Sequence, residues 1–167
     1  MIVFDASPLI VLVKAELLEQ FLGSFPEPVV IPRAVQVECC EGKASFDAQM
    51  ISRLIAEKHI EVRKLRGRRA FEQLRREFSL GAGEAQAIAL AQASHARLIV
   101  IEDRNGVNAC KILKLPFTGA LGILLRLREK DLISEDEAAR KLEILGKYGR
   151  YRAEILDDVR RRLETTK

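Results

Sequence analysis

The run Ile2-Val3-Phe4-Asp5 constrains the fold more than any other stretch of this chain. Three apolar residues without polar alternation, two of them β-branched, suit a strand buried on both faces rather than one lying half in water. The run passes without a linker into Ser7-Pro8 and then Leu9-Ile10-Val11-Leu12-Val13. Ser7 reads as an N-cap and Pro8 as the first helical position. The apolar tract behind them reads as a helix covered nearly all round. Asp5 then stands at the carboxyl end of a central strand beside a helix N-terminus, the edge at which open parallel sheets bind ligands. The plainer reading, that Asp5 ends the strand and helps to cap the helix, is equally compatible with this stretch alone.

The same alternation continues. A helix over about residues 8–22 gives way to the breakers Gly23 to Pro28, then a short buried strand at Val29-Val30-Ile31. Pro32 opens a second helix that ends at Glu41-Gly42, and Phe46 to His59 carries helical apolar spacing at Met50, Ile51, Leu54 and Ile55. Ile60 to Leu65 alternates as a more exposed strand, and Phe71 to Phe78 is amphipathic. After Leu80-Gly81-Ala82-Gly83-Glu84 comes the Ala-rich helix Ala85 to Ala93, whose small side chains allow close packing on a sheet. Leu98 to Ile101 is the second strongly buried strand and ends in Glu102-Asp103; Asn105-Gly106 marks a turn, with a helix over Asn108 to Lys114. Leu115 to Thr118 reads as an edge strand, because Pro116 cannot donate to a ladder. Gly119 to Glu129 is an apolar helix. Ser134 caps an acidic helix start, and the last tract runs to about Leu163 with a break expected near Gly146 or Gly149. Strands alternating with helices call for a parallel sheet wrapped on both faces. The expected organisation is one α/β domain over residues 1–130 with a helical extension over 131–167 packed on or beside it.

At 167 residues, 48% apolar and 31% charged, the chain has material for one domain with a substantial core. Its apolar amino end lacks a basic leader and carries Asp5, which does not fit a secretory signal. No apolar run approaches the roughly 18 residues of a membrane span. Cys39, Cys40 and Cys110 have no metal spacing and form no disulfide framework, which fits a reducing cytoplasm. A net charge of +4 permits a nucleic-acid partner. Basic residues gather at Arg63 to Arg69, Arg75-Arg76 and Arg160 to Arg162. Phosphates attract such surfaces whatever the base sequence, although the same residues also read as a solvated face. With seven Phe, two Tyr and no Trp, base-specific stacking is not indicated. His59 and His95 have no matching nucleophile nearby in sequence, which argues against a histidine-based ribonuclease.

The chemistry-bearing positions are acidic. Asp5 ends the first strand, Glu38 follows the second, Glu84 follows a Gly-x-Gly turn at a helix start, and Glu102-Asp103 ends the second buried strand. If the first strand and Leu98–Ile101 are neighbours, Asp5 and Asp103 project from one sheet edge. Gathered carboxylates raise one another's pKa unless a cation neutralises them. Such a group would suit a hard divalent ion, Mg²⁺ or Mn²⁺, able to activate water toward a phosphodiester. Each acid also has a plain reading. Glu84 is a capping-box acid with Gly81 as cap, Glu38 a solvated helix residue, and Glu102-Asp103 turn chemistry before Asn-Gly.

Five segments in this order resemble the PIN-domain ribonucleases, in particular the prokaryotic VapC-like group. They are Val3 to Leu9, Pro32 to Glu38, Gly81-Ala82-Gly83-Glu84-Ala85-Gln86-Ala87-Ile88, Leu98 to Arg104, and Phe117 to Leu125. The resemblance covers residues 1 to about 130. It implies a Rossmann-like three-layer α/β/α sandwich with a mostly parallel sheet, and Mg²⁺- or Mn²⁺-dependent endoribonuclease activity. It assigns metal coordination to Asp5, Glu38, Glu84 and the acid after the last buried strand. That acid is Asp103 in preference to the adjacent Glu102. Ser7 matches the small hydroxyl residue that helps to position the first carboxylate or the metal water, and Ser7 and Arg104 are the expected substrate-positioning residues. Val107-Asn108 departs from the pattern, since relatives often carry basic residues there. A toxin of this group would act on RNA, form a homodimer, and be blocked by an antitoxin protein. The rival expectation is a PIN-like module that binds RNA or protein without cutting. A phospho-accepting receiver domain fits less well, because the second strand leads to Pro32 and the last ends at Thr118 rather than at the required Asp and Lys.

Overall fold

The computed structural model describes residues 1–65 and 67–165. The first half runs β1 (Ile2–Phe4), α1 (Ala6–Lys14), α2 (Leu18–Ser24), β2 (Val29–Pro32), α3 (Arg33–Cys40), α4 (Phe46–Ala56), β3 (Ile60–Arg63) and α5 (Arg68–Phe78). The second runs α6 (Ala82–Ala93), β4 (Leu98–Val100), α7 (Arg104–Ile112), β5 (Phe117–Thr118), α8 (Ala120–Glu129), α9 (Glu135–Tyr148) and α10 (Ala153–Thr165). The strands form one sheet in the order β3-β2-β1-β4-β5, and every pairing is parallel.

The order reverses at β1. The chain first steps outward through β2 and β3, then returns to lay β4 against the other side of β1, with Phe4 opposite Val100. Parallel sheets bind ligands outside the carboxyl ends of their strands at such a switch point, because the connecting segments diverge there and leave a crevice. β1 and β4 are thus neighbours, as the placement of Asp5 and Asp103 at one edge requires.

Strand side chains alternate between two cores. Ile2, Phe4, Val29, Ile31 and Val100 face one layer, built from α1 to α4 and α8 to α10. Val3, Val30, Ile99 and Ile101 face the other, built from α5 to α7. The fold is therefore a three-layer α/β/α sandwich. β1 and β2 are buried along their whole length, which explains their unbroken apolar composition. α6 is buried nearly all round, through Gly83, Ala85, Ala87, Ile88, Ala89, Leu90 and Ala91, and its many small side chains let it pack closely against the sheet and against α3 and α5. The C-terminal helices join the first core through Ala138, Leu142, Leu145, Val159 and Leu163. Among the described residues no helix is long and apolar enough to cross a membrane.

Several boundaries differ from the sequence expectation. α1 starts at Ala6 with Asp5, not Ser7, at the N-cap position. Asp5 holds that position with extended backbone and no side-chain cap hydrogen bond, and Pro is tolerated in the first turn, where the amides have no intrahelical partner. Ser7 is exposed in that turn. The expected 8–22 helix is two helices, because Glu16 adopts φ 55° between them, a left-handed break without a glycine to announce it. α7 starts at Arg104 instead of Asn108, since Asp103 accepts the Asn105 amide at 2.8 Å and caps the helix. Ser134 caps α9 as expected, and the C-terminal tract breaks at Gly149. Arg66, part of the first basic segment, lies outside the described residues.

Candidate active site

Asp5 is held by the backbone before its side chain matters. Its amide donates to the Val100 carbonyl at 2.9 Å, which ties the end of β1 to β4 at the switch point. The side chain is 4% exposed at the N-terminus of α1. Burial raises its pKa from 3.8 to about 7, and the negative charges of Glu84 and Glu38 add to the rise; the amides of Ala6 and Ser7 oppose it. This carboxylate is uncomfortable as an isolated anion and would be relieved by a cation.

Glu38 reaches the same crevice from α3. A Cβ built on Gly83 would lie 2.9 Å from Glu38 Oε2 and 3.6 Å from Asp5 Oδ1, so the two carboxylates flank one point on the surface of α6. A side chain at Gly83 would have to push the end of Glu38 aside, so glycine there leaves Glu38 its place beside Asp5. Gln86, one turn on, accepts the Ala34 amide at 3.3 Å and ties α6 to the first turn of α3.

Glu84 lies between Glu38 and Asp103. One of its oxygens accepts the Gly81 amide at 2.8 Å, so the capping box expected from the sequence is present. The other side of the carboxyl faces α7, where Glu84 Oε1 lies 3.6 Å from a Cβ built on Gly106. Burial raises its pKa first; the Gly81 amide opposes this, and the charge of Asp103, within hydrogen-bonding reach, and that of Glu38 raise it further. Capping and a role in the acidic group are therefore compatible, because the two oxygens face different partners.

Asp5, Glu38 and Glu84 come from three distant segments and lie close enough for their charges to act on one another, while Asp103 joins them through its neighbour Glu84. Glu102 faces elsewhere. Its carboxylate accepts the Ala120 amide at 2.7 Å, at the start of α8, and the hydroxyl of Tyr151. Burial raises its pKa, and these two donors lower it. Ser7 and Arg104 are exposed in the first turns of α1 and α7, both of which begin at this edge.

Other groups complete the surroundings. Cys39 lies under the crevice as a neutral thiol, pushed up to about 12 by burial, by Cys40 and by the charges of Glu38 and Asp5. Lys43 donates to the Glu38 carbonyl at 2.6 Å. Arg75 and Arg76 occupy the last turn of α5, whose C-cap residue Ser79 accepts Asn105 Nδ2 at 3.3 Å. That hydrogen bond brings the end of α5 beside the start of α7 and Asp103. By contrast Arg162, from the last basic segment, lines a cavity of about 470 Å³ with Ile2 and Leu98, at the strand beginnings. Lys43 and Gln86 are not legible in the sequence: no motif announces Lys43, and Gln86 is spaced from Gly83 only as one helical turn would be.

The donor set fits a hard divalent cation: oxygen only, anionic, with one member strongly disfavoured as a lone charge. Among the described residues no three His, Cys, Asp or Glu side chains form a ready-made ligand cage.

The chain is thus an α/β/α sandwich with acidic side chains at the carboxyl edge of its parallel sheet. A family model, DUF3368, described as a PIN domain, matches residues 1–165. The chain belongs to this PIN-domain family. The match extends through α9 and α10, which share the first core with the sheet. PIN domains are generally nucleases and typically use divalent metals. No curated protein and no solved structure matches the chain significantly.

Proposed function

We propose that this chain is a divalent-metal-dependent endoribonuclease of the VapC-like kind, acting as the toxin of a toxin–antitoxin pair. What supports the nuclease reading is the closeness of Asp5, Glu38 and Glu84 at the carboxyl edge of the sheet, with Asp103 beside Glu84 and Gly83 leaving space between Glu38 and Asp5. These four would hold Mg²⁺ or Mn²⁺. When bound, such an ion supplies Lewis acidity toward a phosphodiester and lowers the pKa of water.

The chain's own residues have separable tasks in this reading. Asp5, fixed to β4 through its amide, sets the floor of the site. Glu84 is oriented by the Gly81 amide so that its other oxygen faces Asp103. Ser7 and Arg104 border the edge where a substrate phosphate would lie, and Lys43, Arg75 and Arg76 supply positive charge at the same end. Backbone attraction of this kind steers RNA without reading its sequence. The toxin role rests on the VapC-like resemblance, as do the antitoxin partner, the homodimer and the cytoplasmic location.

Purified protein should cleave RNA with Mg²⁺ or Mn²⁺ and stop in EDTA, and Asp5→Asn should be inactive while folded. Expression in a bacterial host should arrest growth, and Asp5→Asn should relieve it. Cleavage that survives both EDTA and Asp5→Asn contradicts the reading. RNA binding without cleavage or Mn²⁺ uptake supports the rival, a non-catalytic binding module.

A further inference from the structure

Glu102 and Tyr151 form an arrangement that the acidic crevice does not use directly. Glu102 Oε1 receives two donors, the Ala120 amide at the start of α8 and the Tyr151 hydroxyl. Three sequence-distant junctions thus meet on one oxygen: β4–α7, β5–α8 and α9–α10. The packing around that oxygen is close, because a Cβ built on Gly119 would lie 3.0 Å from it. The residue after Glu102 is Asp103, the N-cap of α7 and the neighbour of Glu84. Fixing the Glu102 side chain fixes the short turn from which Asp103 projects.

We propose that Tyr151, acting through Glu102, is a positioning residue for the acidic crevice. In this arrangement the C-terminal helices are part of the catalytic device, because the link between α9 and α10 supplies the hydroxyl that holds the β4–α7 turn. Charge-assisted hydrogen bonds of this kind are strong and directional. Misplacing a reacting group by about 1 Å costs on the order of 10²-fold in rate. The proposal rests on the nuclease reading above only for its rate readout.

The test compares the full-length wild type with Tyr151→Phe, Glu102→Gln and Glu102→Ala. Tyr148→Phe serves as the control, because Tyr148 is exposed and its ring packs against Lys14 and Lys147. Each variant is first checked for a native circular-dichroism spectrum. RNA cleavage is then measured with Mn²⁺, and the backbone amide signals of Arg104 and Asn105 are followed by NMR. Tyr151→Phe should lower kcat by tenfold or more with KM within about twofold, and shift both amide signals. Glu102→Gln keeps an oxygen for both donors and should retain most activity, whereas Glu102→Ala should lose it. Tyr148→Phe should match the wild type.

Unchanged kcat and amide signals in Tyr151→Phe overturn the proposal. So does loss of activity in Glu102→Gln equal to that in Asp5→Asn, which would make Glu102 a ligand instead. Should Glu102→Ala fail to fold, Tyr151→Phe and Glu102→Gln decide the matter between them. Should the wild type cut no RNA, the functional reading fails while the amide signals still decide whether Tyr151 holds the Asp103 turn.

Discussion

Replacing Asp5 by Asn should stabilise the metal-free protein at neutral pH while removing its activity. Asp5 is 4% exposed, and burial with the nearby charges of Glu84 and Glu38 raises its pKa from 3.8 to about 7. Between those values the native chain keeps a proton that the unfolded chain has released. Native stability therefore falls as pH rises, by about 1.36 kcal/mol per pH unit for one proton. The contribution is fully present below pH 3.8 and lost once pH exceeds about 7, a total of roughly 4 kcal/mol. Asn cannot ionise and has nearly the same size. Urea denaturation in EDTA at several pH values between about 4.5 and 7.5 measures the difference in unfolding free energy between Asp5→Asn and the wild type. That difference should grow in favour of the variant by about 3 kcal/mol across the range. Saturating Mn²⁺ at neutral pH should then stabilise the wild type, by roughly 2.7 kcal/mol at one hundred times its dissociation constant, and the variant much less. A difference that stays level with pH would refute the reasoning, because it would mean that Asp5 ionises in the folded protein as readily as in the unfolded one.

Two further variants probe the carboxylates and the basic surface separately. Gly83→Ala adds a methyl group where Glu38 Oε2 now lies 2.9 Å away. Because that oxygen is the far end of a flexible side chain, Glu38 should move aside with the fold intact, so the circular-dichroism spectrum should stay native while RNA cleavage falls at least tenfold. Arg75→Ala with Arg76→Ala removes positive charge at the end of α5. RNA affinity should weaken, and the slope of log affinity against log salt should flatten by about one for each phosphate no longer neutralised, with Mn²⁺ uptake unchanged.

The buried strands are legible in the sequence because burial on both faces leaves little freedom in composition. Ile2-Val3-Phe4 and Leu98 to Ile101 declare themselves, and so does the capping box of Gly81 and Glu84. Their adjacency, which brings Asp5 and Asp103 together, is a property of the switch in strand order and has no local signal. The choice between Glu102 and Asp103 is likewise invisible in the sequence. Two neighbouring acids leave a strand end in different directions, and here one caps α7 while the other reaches α8 and Tyr151, 49 residues away. Ser-Pro is a strong helix-start pattern and points to Ser7 as the cap of α1, yet Asp5 fills that position two residues earlier. The break at Glu16 has no local signal either, because a left-handed Glu carries no compositional mark.

The most direct test of the acidic crevice as a cation site is Mn²⁺ binding, measured by calorimetry near pH 6.5 in buffers of different ionisation heat. The wild type should show saturable uptake with release of protons, since Asp5 gives up its proton as the cation arrives, and Asp5→Asn should lose both. Absence of saturable uptake at millimolar Mn²⁺, or uptake that Asp5→Asn leaves intact, would contradict the claim that these carboxylates are gathered for a cation.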